Sequence, residues 1–111
     1  MVCSDFTVLQ LSQISAVLIY LTARATGDEV TQCYVGDSLD MWVRLRNDSP
    51  TAGVADCVLT ITGPTTETSS VTPFQVMVAG ATEMDYGPIR WSPGAAGSYQ
   101  ICVEITGQQP A

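Results

Sequence analysis

Tyr99, Ile101, Val103 and Ile105 occupy every second position near the end of the chain, with Ser98, Gln100, Cys102 and Glu104 between them. A period of two puts the first set on one face of an extended strand and the second set on the other. Two more runs obey the rule. Leu39, Met41, Val43 and Leu45 alternate with Asp40, Trp42, Arg44 and Arg46, and Ala55, Cys57, Leu59 and Ile61 alternate with Asp56, Val58, Thr60 and Thr62. Each strip has one apolar face that must be covered by another layer, and no stretch carries the period of an amphipathic helix. The pattern predicts an all-β sandwich.

Punctuation between the strips supports that reading. Gly27-Asp28-Glu29 and Gly36-Asp37 bracket a short strand predicted over Val30 to Val35, Asn47-Asp48-Ser49-Pro50 turns the chain, and Gly63-Pro64 ends the Ala55 strand. The polar run Thr65 to Thr72 reads as a loop or weak edge strand. Phe74, Val76 and Val78 resume the alternation, Ala79-Gly80-Ala81 turns, and Met84 and Tyr86 open a strand whose phase Gly87-Pro88 breaks, as a bulge would, before Ile89 and Trp91. The loop Pro93-Gly94-Ala95-Ala96-Gly97 then leads into the Tyr99 strand, predicted to be central in its sheet. Counted this way the chain has about seven to nine short antiparallel strands in one domain over residues 1–111.

The N-terminal region departs from the rule. Val8, Leu9 and Leu11, then Val17, Leu18, Ile19, Tyr20 and Leu21, put apolar groups on both faces. Two short strands broken near Ser12 to Ser15 are expected, filling the core as first strands or docking on a neighbouring subunit by strand addition. Residues 1–24 are thus the candidate docking or strand-exchange segment. Its interface candidates are Val8, Leu9, Leu11, Val17, Leu18, Ile19 and Tyr20, joined by Trp42, which points outward beside Arg44 and Arg46 as a contact residue or a cation–π partner.

With 111 residues the chain is long enough for one core without staples. Its net charge of -7, with four Arg and no Lys, argues against a nucleic-acid partner, because phosphate binding needs clustered cations. It has no His, which removes the commonest general base and zinc ligand, so an enzyme is disfavoured and no cofactor is expected. The apolar window Ala16 to Leu21 is far shorter than the ~20 residues that cross a bilayer, so no membrane insertion is expected. The first residues lack a secretory leader's pattern; a complete cytoplasmic product, or a piece of an exported protein with Met1 added, would fit.

Cys3, Cys33, Cys57 and Cys102 form no Cys-x-x-Cys pair. They permit two disulfides or serve as small apolar fillers, and a direct Cys57–Cys102 bridge is disfavoured because one is in phase with inward residues and the other with outward ones.

Other candidate sites carry ordinary alternatives. Asp28, Glu29 and Asp37 could gather around Ca²⁺, but without a regular acidic loop they read as solvated turn acids. Glu83 and Asp85 could be a carboxylate pair, without a partner or cleft. Asn47-Asp48-Ser49 is a glycosylation sequon that doubles as a turn, and Trp42 with Tyr20 could stack on a glycan.

Gly36 and Asp37, Val43 to Asn47, Leu59 to Gly63, Ala79 to Ala81, Trp91, and Gly97 with Tyr99 together resemble the immunoglobulin-like modules of the CARDB and related bacterial, archaeal and phage surface families. The resemblance covers Tyr34 to Ile105 and implies an immunoglobulin-like β-sandwich working in adhesion, spacing or decoration, with no shared catalytic residue. The expected role is a non-enzymatic structural protein of a virion surface, such as a capsid decoration or tail module, acting through self-association or a virion protein. The alternative is an extracellular or cell-surface filament subunit, or an adhesion or carbohydrate-binding module.

Overall fold

The computed structural model describes residues 1–5 and 13–111. Its strands are β1 (Ile14–Ala23), β2 (Glu29–Val30), β3 (Leu39–Asn47), β4 (Gly53–Thr62), β5 (Ser70–Val78), β6 (Thr82–Trp91) and β7 (Gln100–Pro110), with one short 3-10 turn at Thr66–Thr68. They form two antiparallel sheets, one ordered β2-β1-β3-β6 and the other β5-β4-β7. The sheets face each other with β1 against β7 and β6 against β5. The described residues therefore form an all-β sandwich of seven strands.

The core lies where the alternation is strictest. Met41, Val43 and Leu45 of β3, Ala55, Cys57, Leu59 and Ile61 of β4, and Val76 and Val78 of β5 are buried. Burying a side chain of this size contributes about 1.5–3 kcal/mol over leaving it in water, so these two central strands supply most of what holds the layers together. Phe74 and Tyr86 stack at 4.5 Å between ring centroids, and Trp91 meets Tyr99 edge-on at 5.1 Å. The Tyr99 hydroxyl donates to the Ala95 carbonyl at 2.6 Å, which fixes the corner entering β7.

Two expectations are corrected. The strand expected over Val30 to Val35 is only Glu29–Val30, because Tyr34 to Asp37 is a turn: Gly36 has φ +86°, the Asp37 carboxylate accepts from the Tyr34 N–H at 2.9 Å, and Gly36 N–H donates to Pro93 O. Of the two strands expected on either side of Ser12 to Ser15, the first lies outside the described residues and the second is β1, which begins at Ile14. A bulge at Val17, between the Ala16–Leu45 and Leu18–Arg44 pairs, takes up the missing alternation. Finally, β7 is an edge strand and β4 the centre of its sheet. Alternation reports which face is apolar and is silent about neighbours; the inward residues Ile101, Val103 and Ile105 are only half-buried, as befits an edge.

Candidate docking surface

The outer face of the four-stranded sheet is built by β1, β3 and β6. Register places Tyr20 beside Trp42, and Arg44 beside both Leu18 and Asp85. The two aromatic rings lie nearly parallel, 11° apart, with centroids 6.3 Å from each other. Trp42 spends its indole N–H on the Thr22 hydroxyl at 3.1 Å. The Arg44 guanidinium lies 5.7 Å from the centre of the Tyr20 ring. A cation–π partner for Trp42 was expected; the cation instead sits over Tyr20, because Tyr20 occupies the space between Trp42 and the Arg44–Asp85 pair.

Asp85 ties this group together. It accepts from Arg44 Nε at 2.9 Å through Oδ1 and from the Tyr20 hydroxyl at 2.6 Å through Oδ2. The Arg44 hydrogen bond, followed by that of Tyr20, holds the Asp85 carboxyl below its ordinary range, and the hydrogen bond to Asp85 raises the Tyr20 phenol. Asp85 is thus engaged as an anchor by Arg44 and Tyr20 and is not free to act as an acid with Glu83.

Charge is unevenly divided over the molecule. All four Arg lie at this sheet, on β3 and β6 or just beyond β1, and Arg24–Asp40, Arg44–Asp85 and Arg46–Asp48 are ion pairs at 3.2, 2.9 and 3.1 Å. With Asp28 and Glu29 at β2 and Glu83 on β6 the local acids number six, so the four Arg leave this side with a net charge of only -2. The other five of the eleven acids have no Arg among them and account for -5 of the net charge of -7.

Beside the Arg-bearing face stands an apolar step. Val17 and Leu18 are 47% and 45% exposed, turned outward by the bulge. Ile19, also an interface candidate, faces inward and packs on the core, so it leaves the docking set. Tyr20 and Trp42 remain in it. Val8, Leu9 and Leu11 lie outside the described residues.

The remaining candidates separate cleanly. Cys3, Cys33 and Cys102 are exposed and Cys57 is buried, each with a free thiol. Burial, then Asp37, raises the Cys33 thiol, and burial raises Cys57. Among the described residues no three acidic or Cys side chains converge as a metal site would need. The sequon asparagine, Asn47, is 1% exposed: its amide donates to Thr51 O and Val78 O and accepts from Ser49 N–H. Sequence reading saw a turn there and missed the clamp that joins it to β5.

A cavity of about 580 Å³ opens at the end of the sandwich between residues 30–35 and 93–99, with Leu21, Leu39, Trp91 and Ile101 at its base. Among the described residues no charged side chain lines it. Among the described residues no helix is long and apolar enough to cross a membrane. No protein-family model, curated protein or solved structure matches the chain.

Proposed function

We propose that this chain is a non-enzymatic structural protein of a larger assembly, a virion surface component of the capsid-decoration or tail type built on an immunoglobulin-like module. One observation supports the reading above the rest: exposed Val17 and Leu18 adjoin half-buried Tyr20 and Trp42 on the one side of an acidic sandwich where Arg offsets most of the acids. Apolar groups left in water beside paired charges suit a protein contact, since the partner gains burial without meeting repulsion. The expected locality is a particle surface. Immunogold labelling of particles from the native source tests it: gold on particle exteriors is expected, and labelling confined to the cell interior would reject the role.

A second reading draws on the Tyr20–Trp42 pair alone. Two nearly parallel rings on an outer sheet face offer contacts to the apolar face of a sugar, as an adhesion or carbohydrate-binding module requires. Glycan-array binding lost in Trp42→Ala would favour it over the virion role.

A further inference from the structure

The free edge of β1 is capped at both of its ends and open between. At one end the Gln108 side chain takes both backbone groups of Ile14, accepting from its N–H and donating to its C=O, each at 2.9 Å. At the other, β2 pairs with Leu21 and Thr22. From Ser15 to Tyr20 nothing among the described residues pairs with this edge. An unpaired edge is a template for another strand unless charge, proline or cover blocks it.

The other long edges carry such blocks. Pro73 sits in the middle of β5, β6 carries Glu83, Asp85 and Pro88, and β7 carries Glu104. β1 has no charged residue and no proline anywhere between Ile14 and Ala23. Its one irregularity, the bulge, pushes Val17 and Leu18 outward instead of burying them.

We propose that this window binds a second copy of the same chain, β1 against β1 in antiparallel order, joining two four-stranded sheets into one. The inference rests on the reading of the chain as an assembly subunit and names that subunit's partner. Charge selects the partner. Two molecules of net charge -7 repel wherever their acidic surfaces meet, and the β1 side is where all four Arg lie, offsetting four of six acids, while the strand itself carries no charge. The capping also sets the register. A twofold axis through the middle of the open window passes between Val17 and Leu18, setting Val17 of one copy opposite Leu18 of the other and Ser15 opposite Tyr20. Shifting far from that register would run the second strand into Gln108 or β2.

Sedimentation velocity over a concentration series tests the proposal in the full chain. A reversible dimer is expected, and Leu18→Lys should raise its dissociation constant at least about tenfold, because a lysine ammonium would be set against the facing Val17. Val71→Lys, at an exposed site on β5, should leave it unchanged. A cross-linking arm works independently of the lysine variant. With Cys3, Cys33 and Cys102 changed to Ser, mixing Val17→Cys with Leu18→Cys protein should give a disulfide-linked heterodimer on oxidation. A dimer that survives Leu18→Lys, or is lost equally in Val71→Lys, or fails to cross-link in the mixture, overturns β1 pairing while leaving an assembly role through another surface intact. A monomer at every concentration overturns the pairing as well, and particle labelling then decides the assembly role separately.

Discussion

Gln108 and Ile14, 94 residues apart, are joined by two hydrogen bonds of 2.9 Å, the Gln108 carboxamide standing in for the strand that Ile14 lacks on its outer side. This clamp ties the first long strand of one sheet to the last strand of the other. Gln108→Ala leaves the Ile14 N–H and C=O without these partners and should lower stability by about 1–3 kcal/mol. Gln108→Glu should cost a similar amount at neutral pH, since a carboxylate accepts from the N–H but cannot donate to the carbonyl. Urea denaturation midpoints of the two variants against the parent provide the check.

Asn47 makes a comparable clamp inside the protein. Asn47→Ala removes two donations and one acceptance in a buried setting and should destabilise by about 2–4 kcal/mol, more than an exposed turn substitution would. Asn47→Asp should do no better, because the lost amide donors faced Thr51 O and Val78 O. Thermal unfolding of both variants measures this.

The Asp85 cluster predicts an acid-side effect. Its folded-state carboxyl titrates below the ordinary range, so the unfolded chain binds the proton more readily and the stabilisation is present above the ordinary carboxylate range. It fades as pH falls through the lowered folded-state value. The stability gap between parent and Asp85→Asn should therefore be open at pH 6 and close toward pH 2, as read by denaturation across that range. The cluster is surface-exposed, so added salt should narrow the gap at pH 6.

Thiol chemistry should sort the cysteines by burial. Cys3, Cys33 and Cys102 should react with a thiol reagent in the native protein, and Cys57 only upon unfolding. Within the accessible set, burial and Asp37 disfavour the Cys33 thiolate, so its modification should accelerate when Asp37→Asn removes the nearby charge. Mass spectrometry of timed, quenched reactions resolves each site.

Much of this architecture was legible beforehand, and the failures share a cause. The inward sets of β3 and β4 follow directly from alternation, because a strand that is buried on one face cannot hide a phase error. Gly87-Pro88 marked the β3–β6 irregularity, which falls between Met41 and Val43 in the register. The bulge at Val17 was not legible, since an extra residue looks the same in sequence as a greasy two-faced strand. The place of β7 at an edge, the Gln108–Ile14 clamp and the meeting of Tyr20, Arg44 and Asp85 all depend on which strands lie side by side. Periodicity holds no such information. Trp42 and Tyr20 could be named as outward residues from their phase, but only register makes them neighbours.

Sheet order carries a last consequence, for kinetics. Only β1–β2 and β4–β5 pair strands that are consecutive along the chain; β1–β3, β3–β6 and β4–β7 reach across intervening elements. Such distant pairings must close long loops before they gain any contact, which places folding in the slow millisecond-to-second regime of β-sandwiches. During synthesis the β1 edge therefore waits, uncapped at Ile14, until Gln108 has left the ribosome.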